Sequence, residues 1–76
     1  MLTESEAQQQ LDDLCVRLGF CLPPEDSKRL RESPPADPRS FTDAVFRAEG
    51  LDPDTTDRHL YRQVRNAVAD AFRRAG

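Results

Sequence analysis

Four arginines on one side of the C-terminal segment are the residues best suited to chemistry in this sequence. On a 3.6-residue period their side chains share a stripe that differs from the apolar stripe of the same helix and lies largely on its solvent side. Guanidinium groups bind carboxylates and phosphates, often through two parallel hydrogen bonds. The stripe therefore indicates a candidate anion-binding surface, and its members are Arg58, Arg62, Arg65 and Arg73.

Charge is divided unevenly along the chain, and this division leaves three interpretations of the stripe open. Residues 58–76 carry five arginines and one aspartate, whereas residues 1–16 carry four acids and no basic side chain. The stripe could be a solvated helix face, on which ion pairs contribute little. It could instead meet the acidic first segment, within the fold or across a homodimer. It could also bind phosphate groups.

Two aromatic residues extend the candidate surface. Phe46 lies about 140° from Phe41 around a helix, off the apolar face of its segment, so it either packs under a loop or is exposed. Tyr61 lies at the border between the apolar face and the arginine face of the last segment. Aromatic side chains and arginines are enriched in interface hot spots. We predict an interaction surface made of Phe46, Arg58, Tyr61, Arg62, Arg65 and Arg73.

The other reactive side chains form no catalytic or metal-binding pattern. Cys15 and Cys21 have the spacing C-x5-C, which matches neither a CxxC redox motif nor a common zinc motif, so we expect buried free thiols. His59 is the only histidine, and no nucleophile or second metal ligand accompanies it at a recognised spacing. We therefore predict no enzyme activity, no cofactor and no metal site.

Binding to nucleic acid through the arginine face of the last helix is the alternative function. The sequence pI is about 5.0, whereas nucleic-acid-binding domains usually have a pI above about 9. A helix-turn-helix could be drawn from residues 41–49, Gly50 and the last helix. Its recognition helix would begin with Asp52, Asp54 and Asp57, where DNA phosphates have to come close. Nucleic acid is therefore disfavoured as the partner.

Periodicity and capping residues predict four helices that position these side chains. They span about residues 4–18, 24–32, 39–49 and 53–74, and a proline-rich loop occupies 33–38. Thr3 and Glu6 form a capping box at the first helix, and Gly19 ends it in a left-handed conformation. The last helix begins either at residue 53, after the cap Asp52, or near 57, after a rival cap at Thr55 or Thr56.

No alternating run of β-branched residues is present, so the fold class is predicted to be all-α. We expect residues 1–76 to form a single small four-helix domain, in which the first and last helices are longest and pack antiparallel. The apolar stripes predict which side chains are most deeply buried. These are Leu11, Leu14, Leu18, Val45, Leu60, Val64 and Val68.

Composition indicates a folded domain with a thin core. Leu, Val and Phe account for 16 of the 76 residues, just above the share of about 20% below which chains tend to be disordered. Such a domain is stable by only about 3–5 kcal/mol and often gains stability from a partner. No signal peptide and no apolar run of about 18 residues is recognisable. We therefore expect a cytoplasmic protein without membrane attachment.

These observations together predict a small protein-interaction or accessory module without enzyme activity. Its partner is expected to be another protein or a second copy of itself. The excess of arginine over lysine, ten to one, is typical of a GC-rich gene and favours a bacterial source.

Overall fold

The protein consists of four α-helices, as seen in a computed structural model that describes residues 2–75. The helices are α1 (Glu4–Leu18), α2 (Pro24–Glu32), α3 (Pro38–Ala48) and α4 (Arg58–Ala75). No β-strand occurs within the described range, so the predicted all-α class is confirmed. Over the same residues, none of the helices combines the length and the apolar character that a membrane span requires.

Helix α1 begins and ends as its local sequence predicts. The hydroxyl of Thr3 accepts a hydrogen bond from the Glu6 N–H at 3.2 Å, and the Glu6 carboxylate accepts one from the Thr3 N–H at 2.8 Å. The hydrogen bonds from Thr3 lower the pKa of Glu6. Gly19 follows the helix with a φ of 75°, a left-handed conformation that glycine adopts without steric cost. The capping signals of α1 are thus confirmed at both ends.

Helix α4 begins at Arg58, so the predicted start at residue 53 is wrong. The carboxylate of Asp52 accepts a hydrogen bond from the Asp54 N–H at 2.9 Å and closes a separate turn over residues 53–55. The carboxylate of Asp57 accepts one from the His59 N–H at 2.8 Å. That bond satisfies one of the free N–H groups in the first turn of α4. The later of the two expected starts is therefore the observed one, but Asp57 caps the helix and the predicted cap at Thr55 or Thr56 is wrong.

All four helices and the connector after α1 contribute to one core. Helix α3 packs on α4, and α1 packs on both α2 and α4. Leu18 and Leu60 are only partly buried, contrary to prediction, because they lie in the last turn of α1 and the first turn of α4. The buried apolar residues are Leu2, Ala7, Leu11, Leu14, Phe20, Leu30, Phe41, Val45, Phe46, Val64 and Val68.

The start of α1 lies near the end of α4, and the end of α1 lies nearer the start of α4. Leu2, just before α1, shares a groove with Ala75 at the end of α4. Leu18, at the end of α1, shares another groove with Gln63, nearer the start of α4. This arrangement favours the predicted antiparallel packing of the two helices.

Phe46 is fully buried, so its predicted place on an exposed surface is wrong. Its relative exposure is 0%. The ring centroid of Phe46 lies 5.1 Å from that of Phe20 and 5.3 Å from that of Tyr61. The connector between α1 and α2 carries Phe20 against this side of α3. Helix α3 therefore buries a second face, which the periodicity of its own sequence does not reveal.

Cys15 and Cys21 form a disulfide, which overturns the prediction of buried free thiols. Their Cα atoms lie 4.3 Å apart. Cys15 is partly buried and Cys21 is exposed. The left-handed turn at Gly19 reverses the chain after α1 and returns Cys21 to the last turn of the helix. The spacing C-x5-C thus bridges the end of a helix instead of forming a metal or CxxC motif.

Candidate arginine-lined interaction site

A groove beside the first two turns of α4 brings together most of the predicted interaction surface. It has a volume of about 430 Å³ and lies between α3, the loop at residues 53–56 and α4. We define this arginine groove by its charged lining together with Tyr61. These residues are Arg39, Asp43, Asp54, Arg58, Tyr61, Arg62 and Arg65.

Helix α4 supplies three of the four arginines. Arg58, Arg62 and Arg65 are all exposed, and they follow one another at intervals of four and three residues along one face of the helix. With a rise of 1.5 Å per residue, they extend over about 10 Å of the helix axis. Val64 and Val68, both fully buried, hold a different face of α4 against the core. The apolar stripe of α4 therefore determines that these arginines point outward.

Helix α3 supplies Arg39 and Asp43, which the sequence analysis did not include in the surface. The carboxylate of Asp37 caps this helix by accepting a hydrogen bond from the Ser40 N–H at 3.0 Å, so Arg39 lies in its first turn. Asp43 follows one turn later on the same side. Their spacing is visible in the sequence, but only the packing of α3 on α4 brings them beside Arg62 and Arg65.

Tyr61 connects the arginine groove to the core. Its hydroxyl donates a hydrogen bond of 2.6 Å to Asp43, and its ring packs on that of Phe46. Burial raises the pKa of Tyr61, and the hydrogen bond to Asp43 and the charge of Asp43 raise it further. The charges of Arg39 and Arg65 act in the opposite direction. The phenol therefore stays protonated at neutral pH and remains a donor to Asp43.

The arginines of the groove are free of ion pairs within residues 2–75. No carboxylate oxygen in this range lies within 4.0 Å of a guanidinium nitrogen of Arg39, Arg58, Arg62 or Arg65. The acidic first helix pairs elsewhere, because Glu4 lies 3.7 Å from Arg31 of α2. Within the described part of the fold, the groove arginines therefore remain available to an external anion.

Two of the candidate residues lie outside the arginine groove. Arg73 forms an ion pair with Asp70 near the end of α4. Phe46 lies in the core, where it supports Tyr61 and is not itself exposed. His59 is exposed but is not part of the groove lining. In the described range, no three His, Cys, Asp or Glu side chains lie close enough together to hold a metal ion.

Comparisons of this chain with protein-family models, with curated proteins and with solved structures gave no match. The geometry and charge of the arginine groove are therefore the features of this chain that indicate a function. Its candidate ligands are anionic groups that fit an open site with several separate guanidinium donors.

Proposed function

We propose that this protein is an interaction module without enzyme activity that binds an acidic segment of a partner protein in the arginine groove. The observation that carries the proposal is the set of four exposed arginines, without ion pairs among residues 2–75, around one groove. Four arginines against two aspartates leave the groove positive, while the whole chain has a net charge of −3. Such local complementarity steers an acidic partner to one face of the molecule.

An acidic polypeptide suits this lining better than a nucleic acid does. Asp43 and Asp54 lie among the arginines. A nucleic acid presents a continuous row of phosphates and cannot keep them all away from these two carboxylates. A peptide can place carboxylates opposite the arginines and neutral side chains or N–H donors opposite the aspartates. The mixed signs of the groove thus favour a protein partner.

The connection between α3 and α4 also argues against the helix-turn-helix alternative. Residues 49–57 separate the two helices, whereas the DNA-binding motif uses a turn of about three to four residues. Asp54 and Asp57 lie in this connection and precede Arg58. The N-terminal end of α4, which would approach DNA in that motif, therefore lies next to carboxylates that repel the phosphates.

The proposed interface is polar, and we expect modest, salt-dependent affinity. Phe46 is buried and Tyr61 is already engaged with Asp43, so no large apolar side chain projects from the groove as an anchor. Contacts between exposed charges contribute little each and are screened by salt. This behaviour suits an accessory module that binds reversibly. As part of the same proposal we place it in the cytoplasm of a bacterial cell.

The test is fluorescence anisotropy with a labelled peptide in which glutamates alternate with serines, in parallel with an oligothymidylate of equal charge. We expect the peptide to bind more tightly than the oligonucleotide. The charge reversals Arg62→Glu and Arg65→Glu, made together, should weaken peptide binding at least about tenfold, or about 1.4 kcal/mol. Mapping of amide shifts by NMR should place the bound peptide against α3 and the first turns of α4.

The matched control is Lys28→Glu with Arg47→Glu, which changes the net charge equally at exposed positions outside the groove. This control should retain most of the affinity. Equal loss in both double variants would mean that only net charge matters and that the groove is not a site. Tighter binding of the oligonucleotide would favour the nucleic-acid function. If the unliganded parent protein forms a dimer and the variant with Arg62→Glu and Arg65→Glu does not, the occupant of the groove is a second copy of the chain.

A further inference from the structure

The Cys15–Cys21 disulfide joins the last turn of α1 to the connector that precedes α2. Cys21 is an exposed residue of the connector, whereas Cys15 is partly buried in the last turn of α1. Accessibility of a sulfur is one of the factors that decide whether a disulfide exchanges with external thiols. Disulfides in reducing compartments are usually transient or redox-sensing. A disulfide is therefore compatible with the expected cytoplasmic location if it is reversibly reduced and re-formed.

The segment held by the disulfide leads directly to the arginine groove. Phe20 precedes Cys21 and is 6% exposed. Its ring packs on Phe46 with a centroid distance of 5.1 Å, and Phe46 packs on Tyr61 at 5.3 Å. Tyr61 donates its hydroxyl hydrogen bond to Asp43 in the groove at 2.6 Å. A continuous row of packed rings thus connects the bridge to the groove wall.

We propose that the Cys15–Cys21 pair is a site of reversible exchange with a dithiol reductant and that its reduction weakens anion binding in the arginine groove. The inference rests on the proposed function, because it concerns the regulation of the same site. The site would take a small dithiol or the dithiol of a reductant protein. The oxidised form is then the binding form.

The exchange proceeds in two steps. One thiolate of the reductant attacks the sulfur of Cys21, the more exposed residue of the pair, forms a mixed disulfide with it and expels Cys15 as a thiolate, which takes up a proton. The second thiolate of the reductant attacks the reductant sulfur that is bonded to Cys21. This step expels Cys21 as a thiolate, which is also protonated. Two electrons and two protons pass to the cysteine pair, and the reductant leaves as a disulfide.

Loss of the bridge changes what holds Phe20 in place. In the oxidised protein Phe20 is held by the bridge at its neighbour Cys21 and by the hydrogen bond of 3.1 Å from its N–H to the Leu14 carbonyl. After reduction that hydrogen bond, the ring packing and the burial of Phe20 in the core remain, but the covalent restraint on the connector is lost. Phe46 is fully enclosed, so a displaced Phe20 leaves space beside it, and Phe46 and Tyr61 repack. The hydroxyl of Tyr61 and its partner Asp43 then shift at the groove.

Tyr61 provides a direct readout, because the chain contains one tyrosine and no tryptophan. Tyrosine fluorescence and affinity for the same glutamate–serine peptide are measured for the oxidised protein and after treatment with dithiothreitol, with circular dichroism as the check of folding. We expect reduction to change the emission of Tyr61 and to weaken peptide binding about fivefold, the low end for coupled sites. By reciprocity, saturating peptide should disfavour reduction by the same factor.

Two variants complete the experiment. Cys15→Ser with Cys21→Ser should behave like the reduced protein and ignore dithiothreitol. Phe20→Leu retains an apolar side chain but removes the aromatic contact, so the redox effect on Tyr61 should disappear. Unchanged Tyr61 emission and unchanged affinity on reduction would overturn the inference. Unfolding on reduction would overturn it as well, because the bridge would then be a structural staple.

Failure of the proposed function gives a different pattern. If the peptide binds neither form, the arginine groove is not an acidic-segment site. The coupling between the bridge and Tyr61 is then decided by the emission of Tyr61 alone. A changed emission with an intact fold supports that coupling, and an unchanged emission contradicts it.

Discussion

Tyr61 is the residue at which core packing and groove chemistry meet. Its ring rests on Phe46 inside the core, and its hydroxyl donates to Asp43 on the groove wall. A hydrogen bond to a charged group contributes about 1.5–3 kcal/mol, more than one between neutral groups. Tyr61 is partly exposed, so its contribution is expected near or below the low end of that range. The residue therefore stabilises the fold while it positions Asp43.

Replacing Tyr61 by phenylalanine tests this contribution. The variant keeps the ring on Phe46 and removes only the hydroxyl, so the free energy of unfolding should fall by about 1 kcal/mol. Urea denaturation followed by circular dichroism measures the difference. A variant as stable as the parent protein would show that the hydrogen bond to Asp43 adds nothing to the fold.

The raised pKa of Tyr61 predicts a pH dependence of stability. Burial and Asp43 raise the pKa in the folded state above the ordinary value of 10.0. The unfolded chain therefore loses this proton first as the pH rises. The stabilisation is complete below about pH 10 and declines as the pH rises through the folded pKa. Urea denaturation at neutral and alkaline pH should show this decline in the parent protein and a smaller decline in Tyr61→Phe.

At the level of elements, the start of α4 decides how the groove is built. Because α4 begins at Arg58, residues 53–56 remain a loop and form one rim of the groove. A helix that began at residue 53 would carry these residues in its own first turn. The arginines would then follow on a longer, uninterrupted helix face. The choice between a start at residue 53 and a start at Arg58 is therefore also a choice between a groove and an open helix face.

A pair of alanine substitutions tests which cap begins α4. Asp57 accepts a hydrogen bond from the His59 N–H in the first turn, so Asp57→Ala should cost about 1 kcal/mol. Asp52 closes only a separate turn, so Asp52→Ala should cost less. Thermal unfolding of both variants measures the order. If Asp52→Ala were the more destabilising change, the helix would extend to residue 53 in solution.

At the scale of the whole molecule, four helices share one thin core. Val64 and Val68 of α4 are fully buried in the same cluster as Phe41 and Val45 of α3. A domain of this size is stable by only about 3–5 kcal/mol. Burying one charged side chain without a partner costs about as much free energy as the whole free energy of unfolding. We therefore expect the four helices to unfold together in one cooperative transition.

The substitution Val68→Asp tests this dependence and the register of α4. It places a carboxylate at a fully buried position and should abolish cooperative folding. Asn66→Asp is the matched control, because it introduces the same side chain at an exposed position of α4. Circular dichroism melting should show an unfolded Val68→Asp protein and a nearly unchanged Asn66→Asp protein. An unchanged melting temperature for Val68→Asp would mean that the register of α4 is wrong.

The sequence alone determined the features that depend on contacts within a few residues. The all-α class, the bounds of α1 and α2, the capping box of Thr3 and Glu6 and the left-handed Gly19 all follow from local hydrogen bonds and side-chain period. The bounds of α3 were off by one residue at each end. The outward arginines of α4 also follow from local pattern, because Val64 and Val68 define a separate, buried face.

Only the tertiary structure decided which separate segments meet. Phe46 is buried because Phe20 from another segment covers it, and Asp43 reaches Tyr61 across 18 positions of sequence. The pairing of Cys15 with Cys21 required the direction in which the chain leaves Gly19. Periodicity describes the faces of one helix but not which neighbour covers them. The arginine stripe was therefore visible in the sequence, whereas the groove that encloses it was not.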